Sequence, residues 1–334
     1  MNKILVTGGA GYIGSHVVKQ LAQDTDNCIT ILDNFSTGFL DTIKILQSKF
    51  NNIDIAEMDL CHWDKVAEFM NHERFDAVVH FAASLVVPES VHEPLKYYLN
   101  NTANTANLVQ CCIAAGTNKF IFSSTAAVYG EPILVGDAGV TEDMPLSPIN
   151  PYGRSKNFSE YVIRDAAFAN EAFRFVILRY FNVAGANEDG LIGQSTLNAT
   201  HLIKVSAETA LGKRKKMSIF GTDYPTADGT CVRDYIHVDD LASAHIKALD
   251  YLGNNKEGIF NCGYGYGYSV REVIETMKRV SGVDFNVEEA PRREGDPALL
   301  ISDSSKIKEL MGWKPEHDDL EYICKTALEW EKKL

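Results

Sequence analysis

The sequence predicts an α/β protein, a doubly wound parallel sheet with a smaller C-terminal α/β domain. Three observations predict it. Short apolar runs alternate with helical-period segments through the first half. A glycine cluster directly follows the first run. Beyond residue 182 the pattern loosens and Gly, Asn and Thr become frequent. Strand, helix, strand repeated in this way connects as parallel pairs with right-handed crossovers, which covers both faces of the sheet.

The runs Lys3–Thr7, Cys28–Leu32, Ile53–Glu57, Ala77–Phe81 and Lys119–Ser123 are short, apolar and partly β-branched, as buried strands are. Helical periodicity links them through Tyr12–Gln23, Phe39–Lys49, Asp64–Met70 and Pro94–Ala115. A helix through Tyr152–Ala169 and a strand at Arg174–Arg179 extend the series. Later strands, Met217–Phe220 and Gly258–Cys262, are shorter. Ser269-Val-Arg-Glu272 is a capping box that opens a helix. Lys306–Met311 and Leu320–Lys333 also read as helices. The expected domains are 1–182, nucleotide-binding with segments from about 230–262 interleaved, and 183–334, for substrate.

Lys and Arg number 32 against 45 Asp and Glu over 334 residues, a formal charge of −13. So acidic a chain has no general attraction for phosphate backbones or anionic lipid, which argues against nucleic acid and membrane partners. Lys213-Arg214-Lys215-Lys216 is one short basic run and reads as a solvated turn. No stretch approaches the roughly 18 apolar residues of a membrane span. The start, Met1 to Thr7, lacks the apolar core of a signal peptide, so the expected location is the cytoplasm. The seven cysteines form no C-x-x-C pair and read as small hydrophobes; the nine histidines show no metal spacing, and no metal site is expected.

Thr7-Gly8-Gly9-Ala10-Gly11-Tyr12-Ile13-Gly14 stands between the first strand and first helix. Glycines there permit a tight turn, close approach to a pyrophosphate and seating of the helix on the sheet. The helix start adds unpaired N–H groups and a positive dipole end. Such a turn alone is weak evidence. Here the second strand ends at Asp33, 19 residues after Gly14, where an acid suits an adenosine ribose. No Lys or Arg lies between Asp33 and Thr42 to hold a 2′-phosphate, so NAD is favoured over NADP.

Tyr152 and Lys156 form Tyr-x-x-x-Lys, neighbours on one helical face. Alone the pair is commonplace. It follows Ser123-Ser124-Thr125 at the carboxyl end of a strand, where ligands sit in such sheets. An adjacent ammonium and a bound nicotinamide cation both favour phenolate; lowering a phenol by about 3 units, worth about 4 kcal/mol, would make Tyr152 a base near neutrality.

These segments resemble the UDP-glucose 4-epimerase family of extended short-chain dehydrogenase/reductases, whose sheet is of the Rossmann type. The likeness covers the whole chain. It is carried by the glycine turn, Asp33-Asn34, Asp59-Leu60, His80-Phe81-Ala82-Ala83, Pro94 to Asn101, Ser123-Ser124-Thr125, Tyr152 and Lys156, Leu178 to Asn182, Gly229 to Val238, and Arg292 to Asp296. It is greatest to bacterial epimerases that also accept N-acetylated sugars. The resemblance implies a redox-neutral cycle on UDP-hexoses. Tyr152 would take the 4-hydroxyl proton while hydride passes from C4 to NAD+, and the 4-keto sugar would turn before hydride returns to its other face. Lys156 would hold the nicotinamide ribose and Thr125 the same sugar oxygen.

The resemblance also implies that Gly8, Gly11, Tyr12, Ile13, Gly14, Asp33, Asn34, Asp59, Leu60, Phe81, Ala82, Ala83, Asn100 and Tyr180 line NAD, together with Tyr152 and Lys156. Asn182, His201, Leu202, Phe220, Arg233, Arg293, Asp296 and Leu300 would hold the UDP-sugar, and the 183–334 domain would be its binding domain. Relatives commonly form homodimers through paired helices, here around Pro94–Ala115 and Pro151–Ala169.

Two departures stand out. Some relatives carry a cofactor-contacting lysine near Leu85, absent here. Some glucose-restricted relatives carry a tyrosine at the position of Leu300, whose smaller side chain implies room for an N-acetyl group. Sugar-nucleotide dehydratases of this scaffold place Asp-Glu after the threonine. Ala126-Ala127 cannot transfer protons in their stead. A net dehydrogenase and a non-catalytic NAD sensor are the remaining alternatives; a sensor would not need Tyr152, Lys156 and Thr125 together.

Overall fold

The computed structural model describes residues 2–132, 139–197, 199–293 and 296–334. They form two compact units, each assembled from three chain segments. The first comprises Met1–Gly130, Pro145–Arg179 and Ala242–Phe260; the second comprises Glu131–Met144, Tyr180–Leu241 and Asn261–Leu334.

In the first unit the order is β1 (Asn2–Thr7), α1 (Tyr12–Ala22), β2 (Asn27–Asp33), α2 (Leu40–Gln47), β3 (Ile53–Glu57), α3 (Trp63–Glu73) and β4 (Ala77–His80). Then come α4 (Val87–His92), α5 (Pro94–Tyr97), a π-helical turn (Tyr98–Ala103), α6 (Asn104–Ala115), β5 (Lys119–Thr125), α7 (Pro151–Ala169) and β6 (Arg174–Tyr180). The strand Glu257–Cys262 joins the edge, giving a seven-stranded sheet ordered Glu257–Cys262, β6, β5, β4, β1, β2, β3. The pairs β3–β2, β2–β1, β1–β4 and β4–β5 are parallel.

Side-chain alternation gives the sheet two apolar faces. Leu5, Leu32, Val78, Phe120, Phe122, Phe175 and Ile177 share a buried cluster with Val66 and Met70 of α3, Leu108 and Cys112 of α6, and Ile163 of α7. Their neighbours along the strands, Ile4, Val6, Ile29, Ile31, Val79 and Ile121, are buried on the opposite face, where α1 touches β1 and β2. Burying each such side chain contributes about 1.5–3 kcal/mol.

The single helix expected over Pro94–Ala115 is three pieces. The wider π winding carries Asn101 inward, and its carbonyl accepts hydroxyls from Thr105 and from Ser159 of α7. α4 has six residues, too few to display a period in the sequence.

The second unit is built on short strands. Val232–Arg233 lies between Tyr268–Ser269 and Leu299–Leu300; Asn182–Ala184 pairs with Tyr235–His237, and Met217–Phe220 with Val287–Ala290. Asp234 knits the first group together. It is buried and accepts from Tyr264 N–H (2.9 Å), Gly265 N–H (3.1 Å), and the Ser302 N–H (3.2 Å) and hydroxyl (2.6 Å). Residues 139–144 belong here because Val140 exchanges backbone hydrogen bonds with Ile301 and Asp303 at 2.8 Å, a connection no local pattern displays.

The basic run is an exposed turn, as expected, with Lys213, Lys215 and Lys216 all exposed. Within it Lys213 bonds Glu331 (2.7 Å), Arg214 bonds Glu208, and Lys216 bonds Glu288 (2.8 Å). Five cysteines are buried, Cys28 is half-buried and Cys61 exposed, all as free thiols. Among the described residues, no helix is long and apolar enough to cross a membrane.

Candidate active site

The glycine turn is closed by its own backbone. Gly8 sits at φ +70°, and a Cβ there would stand 2.6 Å from the Ala82 nitrogen at the end of β4. A Cβ on Gly14 would stand 2.4 Å from the Gly8 carbonyl oxygen. α1 begins at Tyr12 after Gly11, with no side-chain cap and no acid in its first turn, so no carboxylate of its own competes for an anion there.

Asp33, last residue of β2, is fixed by backbone donors. Its Oδ2 accepts from Ala10 N–H (3.0 Å) and its Oδ1 from Phe35 N–H (2.9 Å). Burial pushes its carboxyl above the ordinary range, against the pull of the backbone bonds. Asn34 donates to Asp59 Oδ2 at 2.6 Å, and Leu60 is buried beside it in sequence. A cradle that any Cβ would fill, an open helix start and an anchored acid fit a dinucleotide's pyrophosphate and ribose.

Phe81, Ala82 and Ala83 follow β4 and are half-buried. His80, ahead of them, is held between Thr7 Oγ1 (2.6 Å) and Thr105 Oγ1 (2.9 Å). Burial and the Lys156 charge push its imidazole down to about 3, so it is neutral. Asn100 lies in the π turn, its Nδ2 donating to Ser84 Oγ at 2.9 Å.

Tyr152 and Lys156 stand in the first two turns of α7, which Asn150 caps by accepting Gly153 N–H (2.8 Å). A Cβ on Gly153 would lie 2.7 Å from the Ala127 carbonyl oxygen, so glycine lets the helix start close against the turn after β5. That closeness sets the Thr125 hydroxyl where it favours the charged form of the Tyr152 phenol. Thr125 Oγ1 also accepts Ala127 N–H at 3.1 Å.

Lys156 Nζ donates to the Ser123 carbonyl (2.7 Å) and lies over the Phe122 ring (4.8 Å). Burial raises the Tyr152 phenol above its ordinary value, with Thr125 working against the rise. Burial also pushes the Lys156 ammonium down to about 7, opposed by Glu160.

In the second unit, the Arg293 guanidinium stacks on Phe220 at 3.7 Å. Arg233 Nη2 meets Asp296 Oδ1 at 3.4 Å, and Leu300, buried, pairs in register with Arg233. Glu294 and Gly295 lie outside the described residues. His201 precedes the helix Leu202–Ala210, its Nδ1 3.0 Å from Gln194 Nε2; burial lowers its imidazole. Asn182 opens a strand paired with Tyr235, and Tyr180, buried, closes β6. The structure thus joins Phe220 with Arg293, and Arg233 with Asp296 and Leu300.

Residues 4–263 match the model of the NAD dependent epimerase/dehydratase family. The chain belongs to this family. It is 50% identical over 333 residues to the UDP-glucose 4-epimerase of Azospirillum brasilense, covering 99% of this chain and 92% of that one. The solved UDP-Glc/GlcNAc 4-epimerase of Campylobacter jejuni is 57% identical with a TM-score of 0.88 and full coverage of both chains. The UDP-glucose-4-epimerase of Stenotrophomonas maltophila, solved with bound NAD and formylated UDP-arabinopyranose, is 35% identical with a TM-score of 0.94, covering 100% of this chain and 98% of that one. The cofactor of the family is NAD, and the glycine cradle and Asp33 fit it.

Two groups escaped the sequence reading. Glu160, one turn beyond Lys156, is buried against Arg179; the stripe 152, 156, 160 at helical spacing was the available signal. Arg292 Nε bonds Asp223 Oδ1 at 2.7 Å while its guanidinium covers Tyr224 at 4.1 Å, and nothing local marks it apart from its neighbour Arg293. His237, Asp239 and His317 also bring ligand atoms within 4.8 Å of one another. His237 Nδ1 accepts Asp239 N–H (3.1 Å) and Nε2 meets Thr326 Oγ1 (3.2 Å), so both ring nitrogens are committed.

Proposed function

We propose that the protein is a UDP-hexose 4-epimerase acting on UDP-glucose and UDP-galactose and on their N-acetylated counterparts, UDP-GlcNAc and UDP-GalNAc. The placing of Thr125 beside Tyr152 carries the reading: the start of α7 packs against the turn after β5, Thr125 favours the charged form of the phenol, and only Ala126-Ala127 follows. The 50% identity to a UDP-glucose 4-epimerase supports the substrate class. The 57% identity to a UDP-Glc/GlcNAc 4-epimerase and the small Leu300 support the wider sugar range.

When bound, NAD supplies the hydride acceptor and donor. Tyr152 removes the proton from the 4-hydroxyl and returns it at the end. Thr125 orients that phenol and shares the sugar oxygen. Lys156, leaving the Ser123 carbonyl, serves the nicotinamide ribose and places a positive charge near the phenol, where it favours phenolate. Gly8, Gly11, Tyr12, Ile13, Gly14, Asp33, Asn34, Asp59, Leu60, Phe81, Ala82, Ala83, Asn100 and Tyr180 hold NAD in this reading. Arg233 and Arg293 meet the diphosphate, a match of guanidinium to phosphate; Asn182, His201, Leu202, Phe220, Asp296 and Leu300 complete the UDP-sugar contacts. The first unit is then the NAD-binding body and the second the UDP-sugar-binding body of a cytoplasmic enzyme.

A homodimer belongs to the same reading. Leu95 and Leu99, one turn apart, and Phe158 and Tyr161 of α7 are exposed apolar side chains, with Tyr98 and Phe158 rings 5.9 Å apart. Sedimentation of the protein and of Leu99→Glu tests whether that face associates: a monomeric parent protein overturns the dimer.

Purified protein, given no added cofactor, is offered UDP-galactose and UDP-GalNAc separately, and products are resolved by chromatography. Conversion of both supports the full reading. Conversion of UDP-galactose alone restricts the range to the plain hexoses. Conversion of neither, even with NAD+ added, overturns the function.

A further inference from the structure

Lys156 is a buried cation in nearly neutral surroundings. From β5 it meets the Ser123 carbonyl and the Phe122 ring, and from β4 the neutral imidazole of His80. On its own helix Tyr152 stands one turn before it and Glu160 one turn after. Glu160 is 1% exposed and Lys156 3% exposed. A buried ammonium without a counter-charge sheds its proton.

Glu160 is itself held on both carboxylate oxygens. Arg179 of β6 donates through Nε to Oε1 (3.0 Å) and through Nη2 to Oε2 (2.6 Å), and the Ser124 hydroxyl donates to Oε1 at 2.5 Å. Arg179 is in turn 2% exposed, donates to the Tyr129 hydroxyl at 3.0 Å and faces that ring at 5.2 Å. Consecutive residues of β5, Ser123 and Ser124, thus bond the lysine and the carboxylate respectively. The fork geometry of the Arg179–Glu160 pair is that of a strong, charge-assisted bond.

We propose that Glu160 is a positioning residue for the reaction: Arg179 and Ser124 fix its carboxylate one helical turn beyond Lys156, and that carboxylate keeps the Lys156 ammonium charged for its work beside Tyr152. The row Lys156, Glu160, Arg179 carries one net positive charge, which a Tyr152 phenolate would neutralise. Among the groups acting on Lys156, Glu160 is the one that favours the charged form.

The inference rests on the epimerase reading for its consequence, and its test needs no turnover. The full chain is labelled with [ε-13C]lysine, and the Lys156 resonance is assigned by its loss in Lys156→Met. Its titration midpoint is then compared among the parent protein, Glu160→Gln, Glu160→Asp and the uncharged double variant Glu160→Gln/Arg179→Met. We expect the acid constant of Lys156 to rise about tenfold or more in Glu160→Gln, a fall of about one pH unit in midpoint. Glu160→Asp keeps the charge and should keep the midpoint. The double variant leaves no unpaired buried arginine, so it decides the matter where Glu160→Gln does not fold, and its midpoint should also lie below the parent's. An unchanged midpoint in whichever uncharged variant folds overturns the proposal, as does an aspartate variant shifted as far as the glutamine one. Failure of the parent to convert UDP-galactose sinks the epimerase reading and leaves this titration standing. Where the parent is active, the basic limb of its kcat profile should move to lower pH in Glu160→Gln.

Discussion

Asn101 Nδ2 lies 3.0 Å from Ser155 Oγ, and that hydroxyl donates to the Tyr152 carbonyl at 2.8 Å. The π turn therefore reaches the backbone of the candidate base through one buried serine. Asn101 also donates to the Ser84 carbonyl (3.0 Å) and accepts Ser84 N–H (2.8 Å). Asn101→Leu would strip partners from both Ser84 backbone groups at once. We expect a loss of about 2–4 kcal/mol, since a buried polar group left unpaired costs about 1–3 kcal/mol and the two Ser84 groups, half-buried, fall short of the full cost. Urea unfolding within about 0.5 kcal/mol of the parent would show the network to be dispensable.

Gly8→Ala should abolish NAD retention. The added Cβ must stand 2.6 Å from the Ala82 nitrogen, and the residue must hold φ +70°. Gly116→Ala is the matched control, with φ +78° and nothing within 4 Å of its Cβ. The control should cost about 1 kcal/mol of stability and keep its cofactor. Released NAD, measured after denaturing each purified variant, separates the two. Equal NAD content in both would mean the glycine cradle does not hold the pyrophosphate.

His80 makes stability depend on pH. Its imidazole is at about 3 in the folded chain, against about 6.5 when unfolded. Between those values the unfolded state binds the extra proton. The contribution is fully present above pH 6.5 and is lost as pH falls towards 3, by about 1.4 kcal/mol per pH unit. Urea unfolding between pH 6.5 and 4.5 should have a slope flatter by about one proton in His80→Gln than in the parent. Parallel slopes would mean the imidazole is already protonated in the native protein.

Leu300→Tyr should suppress conversion of UDP-GalNAc and spare UDP-galactose. Leu300 is buried beside Arg233, so the larger ring must also displace neighbours, at a cost of about 1–3 kcal/mol. Comparing kcat/KM for the two substrates on the folded variant isolates the selectivity. Equal losses on both would mean Leu300 only fills space.

The strands β1 to β6 were legible because each is an apolar run flanked by turns, and the structure moves their ends by no more than two residues. The π turn was not, since Leu95, Leu99 and the residues after them keep an unbroken helical spacing. What distinguishes the turn is Asn101 bonding across to Ser84 and Ser155, which are distant in sequence. In the second unit, strands of two residues have no period to read, and Asp234 gives no local sign that four groups donate to it. The Tyr152 and Lys156 pair was visible by spacing. The hydrogen bond from Lys156 to the Ser123 carbonyl was not, because burial and the backbone acceptor decide it.

The interleaving of segments governs the order in which this protein can be made. The edge strand Glu257–Cys262 pairs beside β6, yet more than seventy residues separate it from Tyr180 along the chain. A ribosome has therefore released about three-quarters of the polypeptide before the sheet can be finished, and chaperones have that interval in which to meet an open β6 edge. A frameshift or early stop anywhere before residue 257 leaves the sheet at least one strand short, so neither unit can be inherited, truncated or exchanged between genes as one continuous piece.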